Sequence, residues 1–150
     1  MTGVRVRRAR PEDIEAVVRL RCELWPDAST DEHAAEAAEV LAGNAPGIMP
    51  LEILVAETAQ GEIAGFIEVG LRSHADGCDP ARPVGYVEGW IVEARHRRRG
   101  IGALLVAAAE EWARDHGCAE MASDTWIDNQ TSIDVHQALG FEIVDRCVIP

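Results

Sequence analysis

One stretch constrains this chain more than any other: Tyr86 to Trp112, which reads YVEGWIVEARHRRRGIGALLVAAAEEW. Its first part, Tyr86 to Val92, is apolar and β-rich, interrupted by Glu88 and Gly89. A glycine inside a strand often marks a kink or bulge. Its last part sets Ile101, Leu104, Leu105, Ala108 and Trp112 at helical spacing, the pattern of an amphipathic helix. Between them, Arg97-Arg98-Arg99-Gly100-Ile101-Gly102 is a cationic turn that opens directly into that helix. Unpaired N–H groups and the positive end of the helix dipole make such a start an anion site. Glycines let a phosphate approach the backbone closely. The unit predicts a strand, a pyrophosphate cradle and a helix in succession.

The residues separate this cradle from two commoner ones. A Walker loop needs Lys and Ser or Thr after its second glycine, and Gly102 is followed by Ala103 and Leu104. A Rossmann loop needs a third glycine, where this chain has Leu105. The pattern present is Arg-x-x-Gly-x-Gly after a kinked strand.

The remaining chain supplies the setting. Its 150 residues suit one domain, 1–150. A net charge of −12, from 26 acidic and 14 basic residues, disfavours nucleic acid as a partner. It favours cationic ligands through long-range attraction. The cysteines, Cys22, Cys78, Cys118 and Cys147, lack zinc spacing and read as free thiols of a reducing compartment. The N-terminus has no apolar core of a signal peptide, and no apolar run approaches the ~20 residues of a membrane span. A cytoplasmic protein without metal or membrane is therefore expected.

Taken in order, Val4 to Ala9 reads as a strand, and a helix from Pro11 ends at Leu24-Trp25-Pro26. Trp25 is either a core residue or an aromatic platform beside a site. Ser29 and Glu32 have capping-box spacing for a second helix reaching Leu41; Gly43 to Gly47 is a loop. Strands at Leu51–Glu57 and Glu62–Leu71 form a hairpin. The polar loop Arg72 to Pro83 holds His74, Asp76 and Asp79. After the central unit, Gly117 ends the long helix. Cys118 to Ser123 reads as a short buried strand, with Asp124 at the carboxyl end where α/β sheets place ligand chemistry. Trp126 to Asn129 is a loop, Thr131 to Leu139 a last helix, and Phe141 to Val148 a final strand. The order β-α-α-β-β-β-α-β-α-β implies an α/β fold on a mixed sheet, antiparallel first and parallel across the central unit.

That order, with the phosphate turn between the fourth strand and third helix, resembles the GNAT acyltransferase superfamily. Asn129-x-x-Ser132-x-x-x-His136-x-x-x-Gly140-Phe141 matches the spacing of that superfamily's last helix. Leu24-Trp25-Pro26, Asp76-Gly77-Cys78-Asp79, Glu88-Gly89, Glu120 to Thr125 and Val135 to Phe141 resemble the aminoglycoside 6′-N-acetyltransferases more narrowly. The likeness spans Val4 to Val148; the end Val148-Ile149-Pro150 lacks that family's aromatic and basic continuation.

The resemblance implies acetyl transfer from acetyl-CoA to a cationic aminoglycoside in a ternary complex, by a homodimer whose contacts the short C-terminus puts in question. It implies that Trp90, Ile91 and Val92 bind pantetheine, with an N–H near Trp90 or Ile91 polarising the thioester carbonyl. Pyrophosphate falls to the amides from Arg98 to Ala103 (through Arg99, Gly100, Ile101 and Gly102), with arginine side chains including Arg97 assisting. Asn129 contacts the cofactor. Glu88 and Asp124 bind the substrate's ammonium groups, with proton removal as a second role, and His136 is the candidate donor to the leaving thiolate. Trp25, His74 and Asp79 wall the sugar site. Cys118, early in a strand and without a nearby base, is rejected as an acyl-accepting nucleophile. The alternatives are a GNAT enzyme acting on a protein N-terminus, a lysine or a polyamine, and a non-catalytic acyl-CoA sensor. The sensor would not need Glu88 and Asp124.

Overall fold

The sheet begins with β1 (Arg5–Arg8). A single 3-10 turn at Pro11–Asp13 replaces the first turn of the expected helix, and α1 follows at Ile14–Leu24. Helix α2 (Thr30–Leu41) carries the expected capping box: Ser29 Oγ accepts from the Glu32 N–H at 3.1 Å, and the Glu32 carboxylate accepts from the Ser29 N–H at 3.5 Å. Strands β2 (Leu51–Glu57) and β3 (Ile63–Arg72) form the hairpin. Then come β4 (Val84–Val92), α3 (Ile101–Asp115), β5 (Met121–Ser123) and α4 (Gln130–Ala138). This computed structural model describes residues 3–43, 49–75, 77–125 and 128–144.

Among the described residues the strand order is β1-β2-β3-β4-β5, every neighbouring pair antiparallel except the parallel β4–β5. This is the mixed sheet expected from hairpins early and a helical crossover late. Two expectations need correction. The strand expected at Cys118–Ser123 is confined to Met121–Ser123, and it is half-buried. Cys118 is buried, but in the turn after α3, where its N–H donates to the Ala113 carbonyl at 2.9 Å. Leaving the helix through left-handed Gly117 (φ 84°) uses up Cys118 to Glu120 before the chain reaches the sheet. Of the final strand expected at Phe141–Val148, Phe141 to Val144 form no strand, and the remainder lies outside the described residues. Asp76, Trp126 and most of the Gly43–Gly47 loop also lie outside them.

The sheet is covered on both faces, which is why β2 and β3 read as nearly continuous apolar runs. On one face Val17, Leu20, Ala37 and Val40 of α1 and α2 pack on Ile53, Val55 and Phe66. On the other, Ile101, Leu105, Val106 and Ala109 of α3 pack on Leu54, Ile67, Val69 and Val87. Each fully buried large side chain contributes about 1.5–3 kcal/mol.

The feature that positions the site is a bulge in β4. Val69 pairs with Val87, but Glu68 pairs with Gly89, so Glu88 is an extra residue. A bulge bends its strand and re-aims side chains. Val87 packs on the α3 face, so Glu88 falls on the α1/α2 face by ordinary alternation; the extra residue keeps Gly89 on that face too and returns Trp90 to the α3 face. Gly89 is required by close approach: a Cβ there would lie 2.5 Å from the Trp25 ring and 3.1 Å from Leu24.

Two outcomes follow from this packing. Gly89→Val overfills the contact with Trp25, and its melting temperature falls by the equivalent of about 1–3 kcal/mol. Unchanged melting would contradict the contact. At the sheet edge, Arg7 donates to Asp13 at 2.8 Å and to Glu57 at 2.9 Å. The hydrogen bond from Arg7 holds each carboxyl below its ordinary range. A depressed folded-state pKa adds stability above the unfolded value and loses it as pH falls toward the folded one. Acid titration from about pH 4.5 downward therefore destabilises the wild type more steeply than Arg7→Met, read by melting temperature against pH.

Candidate active site

Strand β5 meets β4 only over Gly85–Val87, while β4 runs on to Val92. Among the described residues, the β5-facing edge of β4 is therefore open beyond Val87. The Glu93 N–H donates to the Ala64 carbonyl at 2.7 Å, toward β3. Alternation along the ladder then turns Ile91 to β3 and Trp90 and Val92 to the open edge. Arg97 Nε donates to the Val92 carbonyl at 2.9 Å, which fastens the following turn to that edge. Of the two amides expected to polarise a carbonyl, Trp90 is the one presented.

The turn itself is built to receive an anion. After a 3-10 turn at Ala94–His96, Arg98 (φ 65°) and Gly100 (φ 76°) are both left-handed. Such alternation makes successive N–H groups converge into a nest. Among the described residues no side chain caps α3, and the Leu104 N–H is the first to bond back, to Gly100 at 3.2 Å. The amides from Arg98 to Ala103 have no partner among the described residues. Arg97 to Gly100 are exposed, while the Ile101 side chain anchors the helix in the core. Gly102 faces the Trp90 ring, which a Cβ would meet at 3.3 Å.

On the opposite face of β4 lies a cavity of about 590 Å³, with Trp25, His33, Glu36, Glu68 and Glu88 in its wall. Trp25 stacks on His33 at 6.2 Å between ring centroids. The buried Arg21 guanidinium lies 4.9 Å from the Trp25 ring. It donates to Glu68 and to Glu36, both at 2.5 Å. Burial pushes the Glu68 carboxyl up, against the opposing pull of Arg21.

Glu88 receives two hydrogen bonds from Arg72, Nε to Oε2 at 3.0 Å and Nη2 to Oε1 at 2.6 Å. The Arg72 guanidinium lies over the Tyr86 ring at 3.5 Å. The Tyr86 hydroxyl donates to Asp124 Oδ2 at 2.5 Å. Burial, and then that hydrogen bond, raise the Tyr86 hydroxyl above the ordinary phenol range. Tyr86 thus stays a proton donor to Asp124 at neutral pH. Asp124 is exposed just past β5 and does not line the cavity; Tyr86 and Arg72 connect it to Glu88. Its Oδ1 has no protein partner among the described residues.

The other candidates are placed as follows. His136 packs edge-on against Trp90 at 5.2 Å and Phe141 at 5.3 Å. Its Nδ1 bonds the Ser132 carbonyl at 2.7 Å, so that nitrogen carries the proton. In the neutral ring Nε2 then accepts from the Ser123 hydroxyl at 2.8 Å. His136 therefore adjoins the open edge of β4 at Trp90, but both of its nitrogens are engaged. Asn129 caps α4, its Oδ1 accepting from the Ser132 N–H at 3.1 Å. His74 and Asp79 are not brought to the cavity. Asp79 Oδ1 accepts from the Ala81 N–H at 2.9 Å, and the Asp79 N–H donates to Glu120 at 2.8 Å, at the entrance to β5 and away from Asp124. His74 is exposed in the same loop.

The structure adds Arg72, Tyr86, Arg21, Glu68 and Glu36 to the site. Two of these leave a trace in the sequence. Arg21 falls on the apolar stripe of α1 between Val17 and Leu24, and Glu68 interrupts an apolar strand. Opposite charges that each break an apolar face are natural partners.

Among the described residues, no helix is long and apolar enough to cross a membrane, and no cluster of His, Cys, Asp or Glu could hold a metal ion. Residues 14–141 match the model of the acetyltransferase (GNAT) family. An aminoglycoside N(6′)-acetyltransferase type 1 of Klebsiella aerogenes is 43% identical over 91% of this chain and 88% of its own. One of Stenotrophomonas maltophilia is 39% identical over 95% and 89%. Among solved structures, AAC(6′)-Iy in complex with the bisubstrate analog CoA-S-monomethyl-acetylneamine superposes with a TM-score of 0.87 at 36% identity, covering 98% of this chain and 96% of that one. The same protein in complex with CoA gives 0.88 at 35% identity, covering 100% and 95%. The chain belongs to the acetyltransferase (GNAT) family, among its aminoglycoside N(6′)-acetyltransferases.

Proposed function

We propose that this protein transfers an acetyl group from acetyl-CoA to the 6′-amine of aminoglycosides, and so confers resistance to them. One observation carries the reading. Past the bulge at Glu88 the edge of β4 is open among the described residues, and Glu88 itself stands in the wall of an acidic cavity on the other side. Acetyl donor and cationic acceptor are thereby held on two sides of one strand.

The residues present fit acetyl-CoA. Partnerless amides from Arg98 to Ala103 suit a pyrophosphate, and the outward N–H groups of Trp90 and Val92 suit the amide-bearing pantetheine arm. When bound, acetyl-CoA supplies the acetyl group as an activated thioester. In this reading the outward Trp90 N–H would polarise the thioester carbonyl. Holding both reactants in line is the larger part of the task. Trp25, Glu36 and Glu88 receive the sugar and its ammonium groups. An amine that is protonated at neutral pH must lose a proton to react. Asp124, with one oxygen fixed by Tyr86, is the acceptor we assign. Asn129 and His136 order the helix beside the open edge of β4, and the Ser123 hydroxyl donates to His136 Nε2. His74 and Asp79 belong to a loop at the other end of β4.

We further propose a cytoplasmic homodimer. Cys22, Cys78 and Cys118 are free thiols, as suits a reducing compartment. Ile143 and Val144, 47% and 60% exposed, are apolar surface that a second copy would cover.

The test is thiol release from acetyl-CoA with kanamycin and tobramycin, beside paromomycin, which carries a 6′-hydroxyl, and a lysine-rich peptide. Turnover with the 6′-amino sugars alone is expected; turnover with the peptide alone would move the function to protein acetylation. Asp124→Asn lowers kcat/KM for the sugar about ten- to a hundredfold at neutral pH, with the KM for acetyl-CoA unchanged. Wild-type kinetics would remove Asp124 from the mechanism. Gly102→Trp drives an indole into Trp90 and the cradle, and abolishes CoA binding in calorimetry while the fold persists by circular dichroism.

A further inference from the structure

Two carboxylates of the cavity wall, Glu68 and Glu88, belong to ion pairs of different character. Arg21 and Glu68 have side chains only 4% and 9% exposed. Arg72 and Glu88 have side chains 45% and 27% exposed. A buried pair cannot lose one partner without stranding a charge. A partly exposed pair adds little and opens readily. Arg21 is committed to Glu68 and Glu36, so Arg72, which reaches Glu88 from outside the cavity lining, is the cation that can leave.

Arg72 also has somewhere to go. It is the last residue of β3, next to the loop, and its guanidinium already lies over the Tyr86 ring. That ring contact survives when Glu88 is released. While the pair is closed, both oxygens of Glu88 are taken and its charge is neutralised.

We infer that Arg72 is a built-in counter-ion for Glu88 that a substrate ammonium replaces on binding, which makes Arg72 a specificity-determining residue. The inference rests on the cationic-sugar reading above. A substrate with one amine must expel one cation to gain one contact. A substrate with several amines also gains Glu36, so the device favours polycations over monoamines.

The experiment compares KM for kanamycin and for 6-amino-6-deoxyglucose, which carries a single amine, in the wild type, Arg72→Met, Arg72→Lys and Arg114→Met. Arg114 is a remote surface arginine, paired among the described residues only with Glu110 at 4.0 Å, and controls for net charge. Arg72→Met lowers both KM values about two- to fivefold, the monoamine's more, with the KM for acetyl-CoA unchanged. Arg72→Lys, which keeps the charge but not the two-pronged contact, lowers them by a smaller factor. Arg114→Met changes neither. Folding of each variant is checked by melting temperature. A KM unchanged or raised in either Arg72 variant would make Arg72 an anchor and overturn the inference. So would an equal drop in Arg114→Met. A wild type that turns over neither sugar would defeat the aminoglycoside reading itself, and this inference with it.

Discussion

A guanidinium buried between two carboxylates holds this site together. Arg21 reaches from α1 to Glu68 on β3, directly across the ladder from Gly89. It also lies against the Trp25 ring, whose edge fills the space that a side chain at Gly89 would occupy. Helix, central strands and bulge are thus tied at one point. Such a pair adds little over a well-packed apolar core, yet removing one partner costs about 3–5 kcal/mol because the other is left charged and buried. Its value lies in fixing geometry: α1 cannot slide relative to the bulge without breaking it.

The bulge converts that fixed geometry into chemistry. In a regular strand, Glu88 and Gly89 would alternate between faces and β5 could pair further along β4. With one extra residue, Gly89 stays beside Glu88 on the cavity side, where Trp25 fills the space of its side chain, Trp90 and Val92 return to the α3 side, and the pairing with β5 ends at Val87. The cationic turn then follows from chain direction, since the strand that carries the open edge runs straight into the helix whose first amides are free. Glu36, Glu68 and Glu88 share one cavity wall, while Arg97, Arg98 and Arg99 stand exposed in the turn after β4.

What the sequence revealed was mostly local. The capping box at Ser29, the hairpin around Gly61 and the strand–turn–helix from Tyr86 depend on neighbours a few residues apart, and all three are present. What it hid depends on tertiary direction. The loop carrying His74 and Asp79 has functional composition, but it folds toward Glu120 and not toward Glu88. Ile91 and Trp90 are equivalent as letters; only the pairing with β3 decides which amide faces outward. Arg72 looks like a loop residue until β3 and β4 are laid side by side. Cys118 to Glu120 is apolar enough to read as strand, yet Gly117 turns the chain so sharply that those residues are used in returning to the sheet.

The central claim is that the bulge leaves particular amides of β4 and of the α3 turn ready for the cofactor. Amide hydrogen exchange with and without CoA tests it residue by residue. The account predicts that CoA slows exchange at Trp90, Val92 and the amides from Arg98 to Ala103. Ile91, already bonded toward β3, does not change. Equal protection at Ile91 and Trp90, or no protection in the turn, would contradict it.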